Sequence, residues 1–148
     1  MTAGTTQRPH KLMVAADERT PAERTVAFIV GLRDRGLPLD LHVLNVQPAF
    51  RGDVSTFVPK KDINEYHRDE GMKSLAPIRA ALDGANLEYD CHVSVGEAAE
   101  TILAFAKDLG CDQIVIGTRG LGAVSSLVLG SVANEVARHA TIPVTLIH

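Results

Sequence analysis

Residues 113–140 read QIVIGTRGLGAVSSLVLGSVANEVARHA: an apolar run, a glycine-rich segment and an amphipathic run in direct succession. Residues 112–116 have the composition of a short buried strand, and residues 131–139 the spacing of a helix. Between them, Gly117, Gly120, Gly122 and Gly130 place four glycines in fifteen residues, more than a packed element tolerates. Glycine permits turns with positive φ and lets backbone N–H groups approach an anion with no Cβ in the way. A strand that feeds a helix through such a loop is one step of an alternating α/β chain, and the rest of the sequence repeats the step.

Toward the N-terminus, residues 11–17 (KLMVAAD) form another short apolar run, expected as a buried parallel strand. Thr20 and Glu23 have capping-box spacing with Pro21 at the first helical position, so a helix is expected from there to Gly36. Residues 39–46 (LDLHVLNV) read as the second strand. Residues 47–61 (QPAFRGDVSTFVPKK) read as a long loop of the length that often marks a functional flap. A helical pattern follows with Ile63, Tyr66, Leu75, Ile78 and Leu82 on one face, and Pro77 is expected to kink or split it.

Residues 87–95 read as the third strand. A helix opens at Gly96-Glu97, turns Ile102, Phe105, Ala106 and Leu109 inward and closes at Gly110. The last strand spans residues 142–147 (IPVTLI), with Pro143 at its start or on an edge. Five strands alternating with helical segments predict a doubly wound α/β domain, a parallel sheet with helices on both faces. Ligands bind such sheets beyond the carboxyl ends of the strands, where the winding reverses. Asp17 and Gly117 both fall at strand ends of that kind.

The chain has 148 residues, 45% hydrophobic and 22% charged, with net charge −3, which bounds it to one ordinary globular domain. Residues 1–10 are polar and are expected as a flexible tail ahead of a single domain over 11–148. No basic surplus points to nucleic acid, and no run is long enough to span a membrane. The first ten residues lack the apolar core of a signal peptide, so the expected location is the cytoplasm. Cys91 and Cys111 form no CxxC pair, and the six histidines (10, 42, 67, 92, 139 and 148) have no metal-ligand spacing, so no metal site built from protein side chains is expected.

Known phosphate-binding signatures fail here. No Gly-Lys pair completes a Walker A loop, and Gly120-Leu121-Gly122 has Ser125 where a dinucleotide fingerprint needs its third glycine. The spacing Gly117-x2-Gly120-x9-Gly130-Ser131 instead resembles the nucleotide-binding signature of the ATP-binding universal stress proteins. The resemblance extends to VAAD, LNVQP, GEAAETI and HATIPVTLI. It implies strand order 3-2-1-4-5, the adenine nucleotide alpha hydrolase-like arrangement, and binding of ATP with Mg²⁺ carried by the phosphates. Carried over by position, Gly117, Arg119, Gly120, Gly130, Ser131 and Val132 would surround phosphates and ribose. Ala15 and Asp17 would meet the adenosine end, the backbone of Val46 the adenine, and Ile116 would lie against the nucleotide.

The chemistry of the side chains suits these roles. Arg119 is a permanent cation, and ionised Asp17 only accepts hydrogen bonds, which fits a ribose hydroxyl or an adenine amine. Asp17 also suits a helix N-cap, and Ser131 either caps its helix or donates to phosphate. The chain departs from many relatives at Glu18-Arg19-Thr20, which makes the pocket mouth bulkier and more charged. No GxSxG elbow is present and Asp17 is the one carboxylate placed near the pocket, so no catalytic residue is assigned. The expected function is a nucleotide-responsive regulator in stress adaptation. The alternatives are a slow ATPase that modifies itself at Ser125, Ser126 or Ser131, and a nucleotide-independent interaction module. The edge strand from Ile142 to Ile147 is expected to pair with its copy in a homodimer.

Overall fold

Successive residues of the first strand, β1 (His10–Ala15), point to opposite sides of the sheet, and both sides are apolar. Leu12 and Val14 enter one core with Leu41, Val43 and Val115; Met13 and Ala15 enter another with Leu44, Ile114 and Ile116. A strand apolar on both sides must be covered on both sides. The computed structural model, which describes residues 7–52, 56–118 and 129–148, shows that it is.

The chain runs β1, α1 (Ala22–Asp34), β2 (Leu39–Gln47), α2 (Lys60–Ser74), α3 (Ala76–Gly84), β3 (Asp90–Val95), α4 (Ala98–Leu109), β4 (Gln113–Gly117), α5 (Ser131–His139) and β5 (Val144–Ile147). The five strands are parallel in the order β3-β2-β1-β4-β5, as expected. Val26 and Ile29 of α1 and Ile78 and Leu82 of α3 close the first core. Ala99, Ile102 and Ala106 of α4 with Ala133 and Val136 of α5 close the second. Each fully buried Leu, Ile or Val adds roughly 1.5–3 kcal/mol relative to its exposed state, so these two layers supply the main drive to fold.

The helix ends follow their local chemistry. Pro77 divides the long helical pattern: α2 stops at Ser74, and α3 begins at Ala76 with the proline in its first turn. Gly36 (φ 85°) and Gly110 (φ 69°) adopt the left-handed conformation that ends α1 and α4. Glu97 caps α4, its carboxylate accepting from the Ala99 and Glu100 N–H groups at 3.2 and 2.8 Å.

Two boundaries differ from the sequence expectation. Pairing in β3 begins at Asp90, because Leu87 and Tyr89 pack against the core without joining the ladder. The Thr20–Glu23 capping box does not form: α1 has no side-chain cap, and Pro21 occupies the cap position. The Thr20 hydroxyl accepts instead from the Asp17 N–H at 2.9 Å. β1 begins at His10, and Arg8 pairs with Asp112 at 2.6 Å. Cys91 and Cys111 are both free thiols. Among the described residues no helix is long and apolar enough to cross a membrane.

Candidate functional site

The strand order reverses between β1 and β4, and a cleft of about 380 Å³ opens beyond their carboxyl ends. That size lies within the range of small-molecule sites. Ala15, Asp17, Val46, Ile116, Gly117, Gly130, Ser131 and Val132 all line it. They come from β1, β2, β4 and α5, so four chain segments converge on one space. Arg119 and Gly120 lie outside the described residues.

The position of α5 follows from two backbone bonds. The Thr118 N–H donates to the Ile147 carbonyl and the Gly130 N–H to the Thr118 carbonyl, both at 2.9 Å. Gly130 is the α5 N-cap, with no side chain capping the helix; Ser131 is exposed and does not cap. The first intrahelical bond is made by the Asn134 N–H to the Gly130 carbonyl. The N–H groups of Ser131, Val132 and Ala133 therefore have no partner earlier in the helix, and all three residues line the cleft. A helix N-terminus with free donors attracts anions through those N–H groups and the helix dipole.

The opposite wall is charged and ordered. Asp17 does not cap α1; its carboxylate accepts from the Arg19 N–H at 2.8 Å and from Arg19 Nη2 at 2.9 Å. The same hydrogen bond and the charge of Asp17 raise the pKa of Arg19, which stays a cation. A carboxylate has about four acceptor sites, so Asp17 keeps capacity for a ligand hydroxyl or amine. Under the cleft, buried Asn45 ties the strand ends together. Its Nδ2 donates to the Ala16 carbonyl at 2.8 Å, and its Oδ1 accepts from Gln47 Nε2 at 2.7 Å.

Asn45, Ala98 and Ile102 line the cleft and were not among the expected site residues. A polar residue inside the apolar run of β2 is the signal that marks Asn45; Ala98 and Ile102 fall within the GEAAETI stretch of the resemblance, to which no site role attaches, and Ile102 faces inward like other core residues of α4. Elsewhere, two histidines that are scattered in sequence meet: His42 and His92 stack at 5.1 Å between ring centroids.

A doubly wound parallel sheet with a cleft at its switch point, a helix N-terminus on one wall and an Asp–Arg pair on the other defines an α/β protein of the nucleotide-binding class of folds. A sequence profile of the universal stress protein family matches residues 9–148, and the chain belongs to that family. The universal stress protein Sll1388 of Synechocystis is 27% identical over 151 residues, covering 93% of this chain and 96% of that protein. The universal stress protein YxiE of Bacillus subtilis is 31% identical over 94 residues, covering 62% of this chain and 64% of that one. Among solved structures, the universal stress protein of Archaeoglobus fulgidus in complex with dAMP superposes with a TM-score of 0.66 at 26% identity. That match covers 97% of this chain and all (100%) of the other.

Proposed function

We propose that this universal stress protein binds an adenine nucleotide in the β1–β4 cleft and acts as a nucleotide-responsive regulator in stress adaptation. The carrying observation is the convergence of eight residues expected at the site on one cleft. The dAMP-bound state of the A. fulgidus relative supports the choice of ligand. The N–H groups of Ser131, Val132 and Ala133, which have no partner among the described residues, are suited to phosphate oxygens, with Gly117, Gly130 and, by resemblance alone, Arg119 and Gly120 around them. Asp17 is suited to a ribose hydroxyl or the adenine amine, Val46 to the base through its backbone, and Ala15 and Ile116 to its apolar faces.

ATP is the proposed native ligand. Asp17 is the only carboxylate among the described residues lining the cleft, and it is already paired with Arg19. Mg²⁺ would therefore be held by the phosphates and water, which suits an ion that keeps its hydration. That poverty in metal-holding carboxylates favours a regulator over a fast hydrolase. The proposed setting is the cytoplasm. The proposed assembly is a homodimer through the β5 edge, within the stretch from Ile142 to Ile147.

The test is titration of nucleotide-free protein with Mg-ATP, AMP, cyclic AMP and GTP, followed by calorimetry and thermal unfolding. A ligand at 100 times its Kd adds about 2.7 kcal/mol, a rise in melting temperature of roughly 5–11 °C for a chain of this size. Adenine nucleotides should produce it and GTP should not. Silence from every nucleotide overturns the proposal. Steady phosphate release from ATP would replace regulator with enzyme.

A further inference from the structure

At the opposite end of the sheet from the cleft, four ionisable side chains share one face. Asp40 and His42 stand two residues apart on β2, Asp90 and His92 two apart on β3, and the register sets His42 opposite Asp90. Residues two apart on a strand point the same way, so the pairing alone assembles the group. One atom each from Asp40, His42 and Asp90 lies within 4.8 Å of the other two.

His42 is the centre of the cluster and is 7% exposed. Its Nδ1 lies 2.9 Å from His92 Nε2 in a hydrogen bond. Its Nε2 lies 2.9 Å from Asp40 Oδ1, yet the two are not aligned as a hydrogen bond, and among the described residues Nε2 has no other partner. If Nε2 carried the proton, a buried N–H would be misdirected. With the proton on Nδ1, donated to His92, the one N–H of His42 is satisfied, and its unshared Nε2 lone pair faces a carboxylate. Two electron-rich atoms at that separation repel unless a cation lies between them, and Lys11 approaches the other oxygen of Asp40, Oδ2, at 3.9 Å.

We propose that this cluster binds a divalent transition cation such as Zn²⁺ at His42 Nε2 and the Asp40 carboxylate, with the exposed Asp90 carboxylate, whose Oδ2 lies 3.9 Å from His42 Nδ1, rotating to complete the ligand set. One imidazole and two carboxylates match the N and O ligands Zn²⁺ accepts, and their two negative charges balance the ion. His92 is a positioning residue: by accepting the Nδ1 proton it fixes the His42 tautomer that exposes the Nε2 lone pair, the usual support for a metal-bound histidine. Phe105 of α4 packs on the His92 ring at 4.9 Å and steadies it. Lys11 Nζ is 3.9 Å from Asp40 Oδ2, which leaves Oδ1 toward the histidine, and Lys11 is also anchored to the Leu109 carbonyl at 2.8 Å. Asp90, with a side chain 73% exposed, opens the site to solvent and gives the ion its path in.

The test uses the full chain, treated with chelator and free of nucleotide, titrated with Zn²⁺ by calorimetry and with Co²⁺ by visible absorption. The expected result is one ion per chain, a cobalt spectrum of low coordination number, and a shift of the His42 Nε2 nitrogen resonance on adding Zn²⁺. Asp90→Asn is exposed and leaves the fold intact; it and Asp40→Asn should each weaken binding at least tenfold. His92→Gln should weaken it and alter the cobalt spectrum. Absence of stoichiometric binding overturns the proposal. So does binding that survives both carboxylate substitutions, which would assign the ion to His10, His67, His139 or His148.

Discussion

The Gly130 N–H donates to the carbonyl of Thr118 at 2.9 Å, so the residue that enters α5 is tied directly to the residue that leaves β4. Thr118 is in turn bonded to Ile147 on the edge strand. The N-terminus of α5 is therefore fixed against the sheet through β4 and β5, and its first-turn N–H groups, without partners among the described residues, line the cleft. In energetic terms, the donors are oriented before any ligand arrives, which lowers the ordering cost of binding.

This arrangement separates stability from binding at Gly130. Its backbone (φ −59°, ψ 155°) is one that any residue adopts, and it is the N-cap of α5. Gly130→Asp would supply the missing side-chain cap, a gain of a few tenths of a kcal/mol. The same carboxylate would cover the first-turn N–H groups and repel phosphate. The melting temperature should stay level or rise slightly, while calorimetry should show at least a 100-fold loss of affinity for AMP and ATP. A variant that is equally stable and binds as the wild type would remove the phosphate from the α5 terminus.

Legibility of the fold in the sequence tracks how local the deciding physics is. The break at Pro77 and the helix ends at Gly36 and Gly110 are backbone effects of single residues and are visible at once. The start of β3 is not, because Leu87 and Tyr89 are as apolar as strand residues but pack without pairing. Thr20 illustrates a second limit. A short hydroxyl can accept from several N–H groups within reach, and the choice of Asp17 over the α1 first turn depends on the bend after β1. At the site, Asp17 and Gly117 are readable from the strand ends and Gly130 from the glycine spacing, whereas Ala15, Val46, Ile116 and Val132 follow only from the resemblance to universal stress proteins. The Asp17–Arg19 pair was readable only as a charged mouth, since its geometry needs the turn. The His42–His92 contact arises from strand register across fifty residues, which no local pattern encodes.

Two helix glycines should respond oppositely to alanine. Gly31 lies within α1, and a Cβ there would meet nothing within 4 Å. Gly31→Ala gains helix propensity alone and should stabilise by up to about 1 kcal/mol. Gly71 lies in α2 against β3, and a Cβ there would sit 2.5 and 2.6 Å from the two Val93 methyls and 3.1 Å from Val93 Cβ. Rotating the Val93 side chain cannot clear its own Cβ, so α2 must move. Overpacking of roughly 1–3 kcal/mol then outweighs the propensity gain. Urea unfolding should show Gly71→Ala destabilised by about 1–2 kcal/mol, and a stabilised variant would contradict the close α2–β3 contact.

Asp112 links acid stability to the start of β1. The backbone N–H of Lys11 donates to its Oδ2 at 2.9 Å, and Arg8 pairs with Oδ1 at 2.6 Å; these hold its pKa below the ordinary carboxylate value, the Lys11 bond foremost. A carboxylate with a depressed folded pKa contributes stability that is fully present above its unfolded value, about 3.9, and lost as pH falls through the folded value. Asp112→Asn should therefore cost about 1 kcal/mol at pH 7, the scale of a hydrogen bond to a charged group that is partly exposed. The difference from wild type should be unchanged at pH 5.5 and shrink below about pH 4. A difference that grows on acidification would contradict the assignment.

The edge strand β5 offers a test of assembly that spares the fold. Ile114 donates to the Pro143 carbonyl and Thr118 to the Ile147 carbonyl, so alternate residues of β5 face β4. Val144 and Leu146 then point their N–H and C=O groups to the open edge. Val144→Pro removes an outward N–H and no bond to β4, and Pro143 before it tolerates a following proline because strand backbone suits that position. Sedimentation of the wild type should give twice the 15.8 kDa chain mass. The variant should sediment as a monomer with its melting transition still cooperative, because a proline edge blocks strand-to-strand pairing. A variant that remains dimeric would move the interface away from β5.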